Sequence, residues 1–272
     1  MTLARTFEKG TDFLTRETEA EYHKKARENL SSHQLADFRK CPALYHKKKL
    51  GLIIDDDRPA FVLGRAVHTW ALEGREVFDR TYTVGGPINS KTGKPYGANT
   101  QTYADWAAAQ GKPVLTDDQF SLISKVVAGI QDNECVRELL SNGTPEGVVR
   151  AEYCGTPCQI RMDWFNADAG IVDLKTCDDL TWFEADARRY GYAHQLAFYR
   201  AVLATVTHAL PEVHLIAVEK KEPYRCGVWV LAEQTLTYSQ RENEAAIDHL
   251  KTCELTGHWP SGYEERRVFD AI

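Results

Sequence analysis

Between Val148 and Thr252 the sequence runs through short patterned segments in one order, and that order limits the fold more than any other feature. Val148 to Cys154 and Gln159 to Phe165 alternate apolar and polar residues, as half-buried strands do, across a turn at Gly155-Thr156-Pro157. Asn166 to Gly170 is a second turn, and Gly170 to Thr176 a third strand. A helix is predicted from Trp182 to Thr205. Strands at Val213 to Glu219 and Cys226 to Leu231, joined through Pro223, and a helix from Glu233 to Thr252 complete the series. The order β-β-β-α-β-β-α calls for an α/β (α+β) fold: a small mixed sheet flanked by helices.

Upstream the pattern is helical. Ser31 or Ser32 can cap a helix through its hydroxyl, and Cys41-Pro42 opens a second short helix that ends in Lys47-Lys48-Lys49 before Gly51. Arg58-Pro59 breaks the chain, and Phe61 to Glu73 reads as the next helix. Thr83 to Gly97, rich in Gly, Pro, Asn and Lys, reads as a long exposed loop. Helices are predicted around Thr102 to Gln110 and Asp117 to Leu140. Residues 1–29 are charged and weakly periodic and are expected to form a mobile arm or a short helix, with 30–272 forming one domain.

Composition removes several classes of function. A hydrophobic share of 43% with 26% charged residues suits a globular chain with a core, not a disordered or fibrous one. The net charge of −6 argues against a protein that only coats DNA through its phosphates, which would be basic. An enzyme that gathers carboxylates around cations beside a locally basic groove remains compatible. No apolar run reaches the roughly 20 residues of a membrane span, and the first residues lack a signal-peptide core, so a cytoplasmic location is expected. The 7 cysteines are an odd number, which points to free thiols. Cys154 and Cys158 have a spacing that could begin a zinc site, but no second pair follows.

The chemistry concentrates in the strand half. Arg161-Met162-Asp163 ends the second strand, and Asp173-Leu174-Lys175 lies on the third. Asp173 and Lys175 share one face of their strand, while Leu174 points to the other and leaves its carbonyl available. A short turn between the strands lets Asp163 and Asp173 lie side by side. Two carboxylates and a carbonyl are ligands for a hard cation, and without one the carboxylates would repel each other. A lysine beside them can orient or deprotonate the attacking water, or neutralise charge building on a phosphate. This set suits phosphodiester hydrolysis. An aspartate at a strand end with a solvated Asp-x-Lys pair also occurs in domains without such chemistry.

Other motifs stand in register with these. They are Gly64-Arg-Ala-Val-His68, followed by Leu72-Glu73; Glu152; and Tyr192-x-x-Gln195-x-x-x-Tyr199, which places three polar groups on one side of a helix. In this order the chain resembles the PD-(D/E)XK nuclease superfamily and, within it, the RecE-like exonucleases of the exonuclease VIII type found in phages and prophages. The likeness runs from about Leu30 to Trp259-Pro260.

The resemblance implies a PD-(D/E)XK core and a Mg²⁺-dependent exodeoxyribonuclease, with Mn²⁺ able to substitute and one or two ions per site. Asp163 and Asp173 would be carboxylate ligands with the Leu174 carbonyl. His68 would be a further ligand, and Glu152 would assist at a second position. Lys175 would act on the water. Gln195 would serve catalysis, and with Tyr192 and Tyr199 would touch the DNA backbone or brace the site. Arg161, Lys91 and Lys94 would contact phosphates, with the Lys47–Lys49 run as a further basic surface. The resemblance also implies 5′-to-3′ digestion of double-stranded DNA ends to leave 3′ single strands for recombination. It further implies a ring-shaped homo-oligomer, a single-strand annealing partner and a bacterial host cytoplasm. Cys253 stands alone near the end, so no iron–sulfur cluster is expected. The alternatives are a nuclease of the same fold acting on single strands or internally, and a DNA-binding module without turnover. Each residue also has a plainer reading: His68, Tyr192 and Tyr199 as core side chains, Glu152 as a solvated strand residue, and Arg161 paired with a local carboxylate.

Overall fold

Short side chains that accept backbone amides decide where the first helices start. In the computed structural model, which describes residues 13–54 and 59–269, Thr18 caps α1 (Glu19–Lys25) and Ser31 caps α2 (Ser32–Lys40), each in a reciprocal capping box, with Glu21 and Gln34 as the respective partners. The Cys41 thiol caps α3 (Pro42–Lys49), which has Pro42 in its first turn. Residues 1–12 of the expected arm, and Arg58 of the expected break, lie outside the described residues. The rest of the expected arm is held against the sheet: Tyr22 is buried, and Thr15 bonds to Val148.

Next come α4 (Pro59–His68), a π-helical turn (Thr69–Glu73) and α5 (Arg75–Thr81), so the predicted helix runs through His68 and loosens directly after it. Thr83 to Gly97 is only partly a loop. It starts as β1 (Thr83–Val84), which pairs in parallel with β2 (Val114–Leu115) across α6 (Gln101–Ala109), and it holds an Ile88–Pro95 bridge. The predicted helix at 117–140 is two, α7 (Asp117–Asp132) and α8 (Glu134–Leu139), divided where Asn133 turns its side chain to cap the second.

The main sheet comprises β3 (Thr144–Tyr153), β4 (Thr156–Asn166), β5 (Gly170–Cys177), β6 (Val213–Glu219) and β7 (Cys226–Val230), in that spatial order. All neighbours are antiparallel except β5 and β6. The β3–β4 turn is Cys154-Gly155, both at positive φ, instead of Gly155 to Pro157. The helix predicted at 182–205 breaks at Gly191, which adopts φ 71°, into α9 (Phe183–Tyr190) and α10 (Tyr192–Thr207). The final helix, α11, spans Glu233–Thr256.

The sheet is the middle of three layers. One apolar cluster joins Ile171, Leu215 and Ala217 to α2, α10 and α11 through residues such as Phe38, Leu196 and Ile247. The other joins Val172, Leu174, Ile216 and Val218 to α4 and α7 through Val67, Ile123 and Ile130. No described helix is long and apolar enough to cross a membrane. This architecture aims α4 and α10 at opposite faces of β5.

Candidate active site

The ladder between β4 and β5 is short. It joins Trp164, Phe165 and Asn166 to Val172, Ile171 and Gly170, and then the strands part at Asp163. Leu174 is thereby left with a main-chain amide and carbonyl that β4 does not take, and buried groups of this kind must find partners. The amide donates to Asp163 Oδ2 at 2.9 Å, and the carbonyl accepts from His68 Nε2 at 2.6 Å. His68 Nε2 also reaches Asp163 Oδ2 at 3.1 Å. The split in the sheet thus gathers His68, Asp163 and the Leu174 carbonyl at one point.

The partners of His68 fix its protons. Nδ1 lies 2.8 Å from the Gly64 carbonyl, which can only accept. Nε2 faces a carbonyl and a carboxylate, which also accept. Both ring nitrogens therefore carry hydrogen. Burial opposes that charge, but Asp163 outweighs it and holds His68 well above its ordinary value. Burial would likewise raise the Asp163 carboxyl, but His68 and then Lys175 hold it well below the usual range. Gly64 contributes its carbonyl more than its size, since a Cβ there would come no nearer than 3.9 Å to Thr176.

On the other side, Asp173 is 1% exposed. Its Oδ2 lies 2.6 Å from Lys175 Nζ, as two residues on one strand face allow. Its Oδ1 accepts from Gln195 Nε2 at 3.3 Å, and the same amide donates to the Tyr199 hydroxyl at 3.1 Å. Burial, then the repulsion of Asp163, raises the Asp173 carboxyl against the pull of Lys175. Lys175 meets the opposite balance: burial disfavours its charge, and Asp173 and Asp163 restore it beyond the ordinary lysine value. Lys175 is therefore a fixed cation.

The remaining predicted residues divide. Tyr192 is at the site, with Lys175 Nζ 5.1 Å from its ring centroid. Tyr199 is buried and braces Gln195, so it offers no surface to DNA. Arg161 is already engaged: its Nε pairs with Glu146 Oε2 at 2.9 Å, and its guanidinium lies 5.2 Å from the Tyr22 ring centroid. Lys91 and Lys94 are exposed on a separate turn closed by Asn89 N donating to Lys94 O. In the basic run, Lys48 pairs with Asp37 and Lys49 with Glu254. Cys154 and Cys158 are free thiols on the β3–β4 hairpin.

Glu152 is not part of the site. It is exposed and pairs with Pro157 beside the hairpin turn. The neighbouring carboxylate is Glu146, which lies between Pro145, paired with Trp164, and Gly147, paired with Met162, and so stands across from Asp163. Its φ of 54° is left-handed for a residue with a side chain. Burial and then Asp163 push its carboxyl up to about 7. Counting the register back from a turn at Cys154-Gly155 pairs 163 with 146, so a correctly placed turn would have found it. His33, near the start of α2, was also not singled out. It is exposed and, with Tyr22, Asp37 and Lys48, lines a cleft of about 240 Å³.

The residues fit a divalent cation in part. Ligands at adjacent corners of an octahedron with bonds of about 2.1 Å are about 3 Å apart. The separations of 2.6 and 3.1 Å from His68 Nε2 to Leu174 O and Asp163 Oδ2 are of that size. The Gly64 carbonyl keeps the Nδ1 proton, which leaves Nε2 as the nitrogen that can exchange its proton for a cation. Among the described residues, however, no three His, Cys, Asp or Glu side chains close a cage. The converging set is two side chains and a carbonyl, with Asp173 drawn aside to Lys175 and Gln195.

A family model described as a PDDEXK-like domain of unknown function (DUF3799) matches residues 31–270. No curated protein matches the sequence. Among solved structures, the crystal structure of a presumed exonuclease from Eubacterium rectale aligns with a TM-score of 0.69 at 16% identity, covering 95% of this chain and 96% of that one. At that identity the likeness is one of fold.

Proposed function

The chain belongs to the PDDEXK-like domain family (DUF3799), and from that premise we propose that it is a divalent-cation-dependent exonuclease acting on DNA phosphodiester bonds. Nucleases of the PD-(D/E)XK type generally use divalent metal ions. One observation carries the reading: where β4 and β5 part, His68 Nε2, Asp163 Oδ2 and the Leu174 carbonyl converge next to a lysine that keeps its charge.

His68, Asp163 and the Leu174 carbonyl would hold the cation. When bound, it supplies positive charge that draws electron density from the phosphate. Lys175 keeps its proton, so it acts by charge and direction instead of as a base: it orients the attacking water and offsets the negative charge that grows on the phosphate oxygens. Asp173 fixes the ammonium, and Gln195, braced by Tyr199, fixes Asp173. Preorganised charge of this kind needs no rearrangement during the reaction.

The finer reading is 5′-to-3′ digestion of duplex ends with Mg²⁺, Mn²⁺ substituting, for recombination. It includes a ring of identical subunits and an annealing partner in a bacterial host cytoplasm. Its support is the order of the Gly-x-x-x-His, Arg-x-Asp, Asp-x-Lys and Gln-x-x-x-Tyr motifs. The test is digestion, with Mg²⁺, of linear duplex labelled at either end, beside single-stranded and closed circular DNA. Release of 5′-terminal nucleotides from linear duplex alone is expected. Cutting of closed circles would replace this reading with an endonuclease, and absence of degradation with any divalent ion would leave a binding module.

A further inference from the structure

A line of cations and rings leads out of the site along the α9–α10 junction. Lys175 Nζ lies 5.1 Å from the Tyr192 ring centroid. The Tyr192 and Tyr190 rings are stacked at 5.9 Å with 29° between their planes. Arg189 Cζ lies 5.5 Å from the Tyr190 ring centroid. The geometry depends on Gly191, whose left-handed backbone ends one helix and starts the next, so that tyrosines on either side of it stack on each other. Tyr190 is 58% exposed, and Arg188 and Arg189 are exposed beside it at the basic end of α9.

We propose that Tyr190, Tyr192 and Arg189 form a stacking platform for the unpaired bases of the DNA strand being cut, next to the scissile phosphate. The proposal rests on the nuclease reading and adds the form of the substrate. A base inside a duplex has both faces covered by its neighbours, so behind the terminal pair only an unpaired base can lie on a tyrosine ring. Every base has a face of this kind, so the contact does not depend on sequence. The guanidinium of Arg189, now over the Tyr190 ring, yields that face to the base and takes a phosphate, which suits a surface followed by a charged backbone. The inner end of the platform touches the lysine assigned to the phosphate. A strand lying on it is therefore led to the point where it is cut, and a duplex whose end has opened supplies such a strand.

The test uses a twelve-nucleotide DNA strand carrying 2-aminopurine near its 5′ end, with Ca²⁺ in place of Mg²⁺. Fluorescence of this base falls when it stacks. The native chain is expected to bind the strand and quench the base. Tyr190→Ala and Tyr190→Leu should bind about tenfold more weakly and lose the quenching, whereas Tyr190→Phe and Tyr190→Trp keep both. The exposed position of Tyr190 makes folding of these variants checkable by circular dichroism and independent of the result. Equal binding and quenching by the native chain and Tyr190→Ala would overturn the platform, and so would failure of the native chain to bind or quench. Digestion of linear duplex by the native chain, run in parallel with Mg²⁺, keeps the two readings apart. Cleavage without quenching removes the platform alone, and quenching without cleavage removes the nuclease assignment alone.

Discussion

The two sides of the opened sheet handle buried charge differently. On the α4 side, His68 and Asp163 neutralise each other through a proton on Nε2, the position a cation would take. On the α10 side, Asp173 and Lys175 neutralise each other through an ammonium that has no cation to yield to, and Gln195 and Tyr199 hold them in place. In the proposed function one half opens to a cation. The other is arranged to stay as it is and present positive charge. A buried ion pair contributes little to stability by itself, but breaking one by removing a single partner is costly.

The largest expected effect comes from breaking the fixed half. Lys175→Ala should lower kcat by about 10³-fold, because it removes the charge that faces the phosphate and strands Asp173. Single-turnover digestion of linear duplex measures it, and near-native turnover would refute the role given to Lys175. On the exchangeable half, Asp163→Asn should weaken Mg²⁺ or Mn²⁺ binding at least about 100-fold by calorimetry. In the same variant the His68 ring, left with burial but without its counter-charge, should titrate lower by NMR. The contrast sharpens further if cation binding to the native chain at pH 7 releases about one proton. Calorimetry in two buffers of different ionisation enthalpy reads that number, and a value of zero would mean that His68 does not exchange its proton.

Glu146 tests the setting of the exchangeable half. A carboxyl whose folded-state value lies above its unfolded one binds its proton more tightly in the folded chain. Its stabilising effect is complete below its ordinary 4.5 and is lost as pH rises to about 7. Glu146→Gln should therefore gain stability over the native chain between those limits, by at most about 3 kcal/mol at pH 8. Denaturant melts at pH 4 and pH 8 compare the two; an unchanged difference would show that Glu146 is ionised freely in the folded state. The smallest effect belongs to the brace of the fixed half. Tyr199→Phe removes one buried hydroxyl that accepts from Gln195 and should cost about 1 kcal/mol in stability with a few-fold loss of activity.

Much of this arrangement was legible in the sequence because it follows from local periodicity. The two-residue repeat of β5 puts Asp173 and Lys175 on one face whatever surrounds them, and the spacing of Gln195 and Tyr199 puts both on one side of α10. Capping by Ser31 and Cys41 is equally local. The same strand reading misplaced the hairpin turn, which hid the register that sets Glu146 across from Asp163, and Glu152 came forward only through the likeness to the nuclease family. Gly191 was read as part of a helix, because one glycine in an amphipathic run is a weak break until its neighbours in space are known.

The sequence by itself determined which strand carries the Asp-Leu-Lys run and which helices bring His68 and Gln195, since each depends on residues a few positions apart. Only the tertiary structure decided how these groups are charged and paired. The opening of β4 from β5 turned Leu174's main-chain groups toward Asp163 and His68. Burial between two helical layers then made each charge depend on its partner, drew Asp173 to Lys175, and gave Arg161 to Glu146. These outcomes depend on distances between residues far apart in the chain and on exclusion of water, which no short stretch of sequence contains.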